Sequence, residues 1–218
     1  LAYLAQAIQG RGPVWYKGEP TTMEKVCAEL DQPPYPLKPK EGLALVNGTT
    51  VMAAYSFHNL KVIRFLLDTT IKTTALCVIG LNGHKEAFNE LINSFAKQFF
   101  GQSLVAQKVW NYLEHEQYQS PKIQKVDQHE ERNHTVQDKY SVRCAPQILG
   151  PILDTLQLCE EWTEKEASGV SDNPIIQDGD RFLMGGNFYG GYISHGMDYL
   201  KISMAHMADM IDRQFMCL

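Results

Sequence analysis

An uninterrupted apolar run of about twenty residues, the length a helix needs to cross a bilayer, does not occur in the 218-residue chain. Lys/Arg-rich runs are missing too, and the formal net charge is -5. Neither a membrane nor a polyanion such as nucleic acid is therefore an expected partner. Cysteine is sparse: Cys27, Cys77, Cys144, Cys159 and Cys217 are odd in number and far apart, with no Cys-x-x-Cys pair. That pattern argues against a disulfide framework and fits reduced thiols. With no secretory signal pattern visible, the expected compartment is cytoplasmic. Metal-protease spacing is also lacking, because His129 and His134 of HEERNH stand five apart and diverge on a helix. GGNFYGG lacks the Lys-Ser/Thr ending of a phosphate loop. No metal or nucleotide is expected.

What the chain does have is long apolar helical pattern. From Thr49 to Ile79 only Lys61, Arg64, Asp68 and Lys72 are charged, so most of that helix's circumference must be covered by other helices. The same pattern recurs over Gln147 to Leu158 and Tyr192 to Cys217, where the methionines read as packing. Loops interrupt it at Pro13 to Pro20, at the cluster Pro33, Pro34, Pro36 and Pro39, at Gln117 to His134, and at Gly185 to Gly191. IIQDGDRFLM, Ile175 to Met184, places a Gly-containing turn between two short apolar runs and predicts a small hairpin. The opening LAYLAQAIQGRG reads as the middle of a helix, with Gly10, Gly12 and Pro13 as its stop, and Ile193 to Leu218 reads as a helix still in progress. The expectation is a mainly α chain, residues 1–218, forming one helical-bundle core that is the internal part of a longer protein.

Three stretches carry candidate chemistry. In GLALVNGTT, Gly42 to Thr50, the amide Asn47 stands between an apolar run and a Gly-Thr-Thr that begins the long helix, with Thr49 or Thr50 as a cap. In QDKYSVRCAPQ, Gln137 to Gln147, the residues Tyr140, Arg143 and Gln147 fall within about one sixth of a helix circumference, with Gln137 at the border. An amide, a phenol and a guanidinium on one stripe line either solvent or a pocket. A phenol ionises only near about pH 10, and a helix start near Gln137 with Arg143 one turn on would both favour the phenolate of Tyr140. The third stretch is SDNPII followed by GGNFYGG, Ser171 to Gly191.

GLALVNGTT, QDKYSVRCAPQILGP, SDNPII and GGNFYGG, in this order and spacing, resemble the aromatic amino acid ammonia-lyase family. That family comprises the histidine, phenylalanine and tyrosine ammonia-lyases and the related aminomutases, and the resemblance runs from Leu1 to Leu218. It implies a long-helix bundle of the ammonia-lyase, fumarase/aspartase-like type. It also implies elimination of ammonia from an aromatic amino acid to give an arylacrylate such as urocanate or coumarate. The electrophile would be 4-methylidene-imidazol-5-one (MIO), formed from an Ala-Ser-Gly segment upstream of Leu1. Ala167 to Gly169 is a coincidental Ala-Ser-Gly, placed where the family usually has an Asn-Ser pair. Carried over residue by residue, the resemblance makes Tyr140 the base for the β-proton and Arg143 the partner of the substrate carboxylate. Asn47 and Gln137 would hydrogen-bond near the electrophile and the substrate, Phe188 would pack against the ring, and Asn173 would join the same site. The implied assembly is a homotetramer with active sites shared between subunits. Cys144 leans toward the histidine-lyase and bacterial tyrosine-enzyme pattern, hence toward histidine or tyrosine over phenylalanine as substrate. A 2,3-aminomutase and a catalytically silent truncated bundle are the alternatives.

Overall fold

The structure, a computed structural model, describes residues 1–121 and 137–218; His129, Asn133, His134 and most of the polar stretch before Gln137 lie outside these residues. The described residues form two compact units, Leu1–Ala53 with Glu166–Gly190, and Ala54–Lys165 with Gly191–Leu218.

The first unit contains helix α1 (Ala2–Ile8), strands β1 (Pro13–Tyr16) and β2 (Glu19–Thr22), and helices α2 (Met23–Glu29) and α3 (Glu41–Asn47). Strands β3 (Ile175–Gln177) and β4 (Arg181–Leu183) complete it. β3 and β4 pair antiparallel with Ile175 opposite Leu183, at the place expected for a hairpin. Their turn contains Asp178 and Gly179, both at positive φ, which Asp tolerates and Gly adopts without a Cβ clash. A second hairpin stands where the sequence reading expected a loop. β1 and β2 pair with Pro13 opposite Thr22 and Tyr16 opposite Glu19, across a two-residue turn in which Lys17 and Gly18 both take positive φ, as a type I′ hairpin turn requires. Pro13 and Pro20 suggested a break, yet the first residue of a strand and an edge strand both accept proline. The apolar run before Asn47 is helical as well, forming α3.

The second unit holds the bundle core. Helix α4 (Thr50–Gly80) begins in the first unit and continues here with α5 (Phe100–His115), the short α6 (Tyr140–Arg143), α7 (Ala145–Ser168, whose last residues belong to the first unit) and α8 (Gly191–Phe215). Leu60, Ile63, Leu67, Ile71, Ala75 and Val78 repeat along α4 at the three- and four-residue spacing of one helix face. They pack with Val105, Val109 and Leu113 of α5, Leu149, Ile152 and Leu156 of α7, and Leu200, Met207 and Met210 of α8. Coverage of α4 by the described residues is one-sided, however, for Tyr55, Phe65 and Leu76 remain more than half exposed. α5 and α7 approach at a pair of glycines: a Cβ on Gly150 would lie 2.5 Å from the backbone nitrogen of Gln102, and one on Gly101 would lie 2.2 Å from the carbonyl of Gly150. None of the five cysteines is bridged, and burial, helped by Glu160, pushes the Cys159 thiol up to about 11. No helix of the described residues is long and apolar enough to cross a membrane.

Candidate functional site

In the first unit, Asn47, Asn173 and Phe188 line one cleft of about 180 Å³ together with Leu43, Ala44, Gly48, Ser171 and Asp172. Asn47 is the last residue of α3, and the Gly48 N–H closes that helix on the Ala44 carbonyl at 2.9 Å. The helix is tied to the other wall of the cleft by Lys40. Its Nζ reaches the Asp172 carboxylate at 2.5 Å and donates to the Pro174 carbonyl at 2.9 Å. Lys40 takes the left-handed backbone conformation, φ 72, uncommon for a residue with a Cβ. The hydrogen bond from Lys40, joined by one from the Asn173 backbone, holds the Asp172 carboxyl below its ordinary range. Asn173 accepts a hydrogen bond on Oδ1 from the Gly185 N–H at 2.8 Å, and Asn187 Nδ2 donates to the Val170 carbonyl at 3.2 Å. These two bonds join Val170 and Asn173 to GGNFYGG and set Phe188, 43% exposed, at the cleft. Sequence reasoning singled out Asn47, Asn173 and Phe188 but not the Lys40 clamp, because nothing local to Lys40 marks its partner 132 positions away.

The second unit carries Gln137, Tyr140 and Arg143. The continuous helical stripe expected from Gln137 to Gln147 is interrupted. Gln137 lies in an exposed bend ahead of the helix, α6 starts at Tyr140, and the helix breaks at Cys144 before α7 begins at Ala145. Pro146 supplies the reason: it has no N–H for the Val142 carbonyl, and its ring crowds that carbonyl. The Cys144 N–H closes α6 on the Tyr140 carbonyl at 2.9 Å, and the Cys144 carbonyl accepts from the N–H groups of Gln147 and Ile148, both at 3.1 Å, to start α7. Tyr140 and Arg143 still meet, the guanidinium carbon standing 4.5 Å from the centre of the phenol ring within cation–π range. Tyr140 is 72% exposed. Arg143 presents a buried Nε with no hydrogen-bond partner among the described residues.

Three contacts support this turn, and of their residues the sequence reading singled out only Gln147. Asp138 accepts the His84 backbone N–H at 2.7 Å and meets its Nδ1 at 3.1 Å, anchoring the segment that holds Gln137. Gln147 donates Nε2 to Asn93 Oδ1 at 3.1 Å, which also accepts from Gln102 at 3.1 Å. The Gln147 Oε1 is buried and unpartnered among the described residues. Gln214, 1% exposed, donates to the Ser141 carbonyl at 3.0 Å. Of these, only Asp138 and Gln147 stand inside the motif and were open to view; His84, Asn93 and Gln214 come from elements distant in sequence.

A mainly helical chain with an Asn-Gly-Thr at a helix junction, a Tyr-x-x-Arg turn, and Asn-Pro and Gly-Gly-Asn-Phe segments joined in one cleft belongs to the aromatic amino acid lyase family, whose family model matches residues 1–218. The histidine ammonia-lyase of Geobacillus thermodenitrificans is 36% identical over 214 residues, which are 98% of this chain and 40% of that relative. A tyrosine 2,3-aminomutase of Myxococcus sp. is 33% identical over 98% of this chain and 43% of its own length. Among solved structures, the Pantoea agglomerans phenylalanine aminomutase superposes with a TM-score of 0.82 at 30% identity, covering 97% of this chain and 43% of that one. The chain thus spans about 40% of the curated relatives it matches.

Proposed function

We propose that the protein containing these residues eliminates ammonia from an aromatic amino acid, histidine or tyrosine in preference to phenylalanine, to give an arylacrylate. The observation that carries the reading is the Arg143 guanidinium, whose buried Nε is unpartnered among the described residues while its face lies against Tyr140. A cationic donor withdrawn from water without a partner is costly and suits a carboxylate, which a guanidinium binds through two parallel hydrogen bonds. Tyr140 stands next to it, and its Oη takes the β-proton. The electrons of that C–H bond form the new double bond as the C–N bond breaks, and the nitrogen departs as ammonia with the bonding pair. In the first unit, Phe188 offers an aromatic face to the substrate ring, and Asn173 shapes the wall beside it through its bond to Gly185. Gln137, exposed ahead of Tyr140, hydrogen-bonds the substrate.

MIO supplies an electrophile that turns the α-nitrogen into a better leaving group. The residues present fit such a group: the cleft offers the uncharged carboxamide of Asn47 beside Gly48, able to hydrogen-bond an imidazolone oxygen without adding charge. We propose that the Ala-Ser-Gly segment that forms it lies outside residues 1–218. We hold residues 1–218 to be a single helical-bundle core within a longer lyase chain. A homotetramer with shared active sites is supported by the apolar side chains left open on α4 and α8, Tyr55, Phe65, Leu76, Ile202 and Phe215, each at least 60% exposed, since patches of this kind mark protein contacts. The cytoplasm is its compartment, in keeping with five unbridged cysteines.

The relative named tyrosine 2,3-aminomutase supports a second reading, in which the released amine returns to the β-carbon. One experiment separates the two. The intact protein is incubated with histidine, tyrosine and phenylalanine, with arylacrylate absorbance and β-amino acid followed together and the intact mass checked for loss of two waters. Arylacrylate and ammonia in equal amounts establish the lyase, β-amino acid establishes the aminomutase, and an unmodified mass with neither product overturns both.

A further inference from the structure

The turn carrying Tyr140 and Arg143 is four residues long, too short to hold its own direction through a helical ladder. Its far side is gripped by the last turns of α8. The amide of Gln214 lies on two acceptors: its Nε2 is 3.0 Å from the Ser141 carbonyl and 3.1 Å from Thr74 Oγ1. Thr74 has already committed its hydroxyl proton to the Thr70 carbonyl at 3.0 Å, so its oxygen can only accept. Facing a carbonyl and a committed hydroxyl, the Gln214 group between them must be the NH₂ end, and the amide orientation follows from its partners. Its Oε1 lies 3.9 Å from the Cys77 sulfur, a weak donor. Three residues on, Cys217 Sγ is 3.7 Å from Ser141 Oγ. Gln214 and Thr74 are 1% and 0% exposed, and a buried amide leaves its carbonyl partner orphaned if it is removed.

The Ser141 carbonyl is available for this contact because of the break at Cys144. No backbone N–H of α7 is bonded to it, and the side chain of a helix remote in sequence takes the place of the missing rung. Ser141 is the residue after Tyr140 and two before Arg143. With the Tyr140 ring mostly exposed and stacked on Arg143, the direction of both side chains depends on the backbone of the turn.

We propose that Gln214 is a positioning residue for Tyr140 and Arg143, acting through the Ser141 carbonyl. The inference rests on the reading that these two residues act on the substrate, and its test separates the two claims. Gln214→Met keeps the length of the side chain and removes the donor; Met207→Ala, a buried change on the same helix, reports general loss of packing. In the intact protein, amide hydrogen exchange over residues 140–147 is compared with exchange over α5, and kcat and KM are measured with whichever amino acid is turned over. Gln214→Met is expected to speed exchange over 140–147 by about tenfold with α5 unchanged. It should also raise KM and lower kcat, together costing about a hundredfold in kcat/KM, the scale of a small misplacement of reacting groups. Met207→Ala is expected to lower Tm with KM unchanged. Wild-type exchange and KM in folded Gln214→Met overturn the inference. Should Gln214→Met fail to fold, Gln214→Leu, which likewise has no donor, is held to the same two readouts. A wild-type protein that turns over none of the three amino acids overturns the functional reading, while the exchange comparison still decides the role of Gln214.

Discussion

Arg143 and Tyr140 divide the proposed chemistry between a charge that binds and an oxygen that accepts a proton, and each can be tested alone. Arg143→Lys keeps the cation but loses the planar fork. One charge-assisted hydrogen bond is worth about 1.5–3 kcal/mol, so KM for the amino acid should rise by about 10–100-fold with the fold intact, as steady-state kinetics against the wild type would report. Tyr140→Phe removes only an exposed oxygen and leaves the stacking on Arg143. Stability should stay unchanged while kcat falls by about 10²–10⁴-fold, the usual contribution of a general base. A variant that retained most of its rate would take Tyr140 out of the reaction. Tyr140 and Arg143 were legible in the sequence because a spacing of three puts them on one helical face whether the helix is four residues long or forty. Gln137 was misplaced for the same reason in reverse, since its position on the stripe depended on where the helix began.

At the scale of the element, the decisive features are two interruptions. Pro146 splits the expected helix at Cys144, and the split frees the carbonyl that Gln214 takes. The glycines at 101 and 150 let α5 and α7 approach closer than any side chain allows. Gly150→Ala should raise helix propensity by roughly 1 kcal/mol and still destabilise the protein. Its Cβ meets backbone atoms of Gln102, which cannot swing aside as a side chain can. Overpacking of this kind costs about 1–3 kcal/mol or more, and at about 2–4 °C per kcal/mol for a chain of this size the loss would be visible in a thermal melt. A Tm at or above the wild type would mean that α5 and α7 can separate without penalty. Gln147 to Leu158 is helical as its apolar period predicts, although Gly150 and Pro151 lie within it, because the period outweighs the two breakers. The hairpin at β1 and β2 was missed where breakers were given more weight than Val14, Trp15 and Tyr16.

At the scale of the whole molecule, the clamp of Lys40 on Asp172 joins parts of the first unit 132 positions apart and brings α3 to the SDNP segment. The Asp172 carboxyl is held below its ordinary value by the Lys40 hydrogen bond first and the Asn173 backbone second. A carboxyl whose folded value is lowered adds stability above its unfolded value, near 3.8, and loses it as the pH falls through the lowered folded value. Since the pair is exposed, the effect on overall stability is small, and the carboxyl's own titration is the better readout. By carbon NMR, Asp172 should titrate below a free aspartate in the wild type and move up toward the ordinary value in Lys40→Ala. An unchanged midpoint in that variant would remove Lys40 as the cause.

Helical period, the Asp-Gly turn between β3 and β4, and the ordered motifs around Asn47, Tyr140, Arg143, Asn173 and Phe188 were determined by the sequence alone, because each rests on neighbours within a turn or two or on a pattern that survives without coordinates. Tertiary structure decided which carbonyl Gln214 reaches, which carboxylate Lys40 holds, how closely α5 passes α7 and where the helix after Tyr140 breaks. Those outcomes depend on groups far apart in the chain being driven together by burial of the core, and on buried polar atoms then having to find partners within reach.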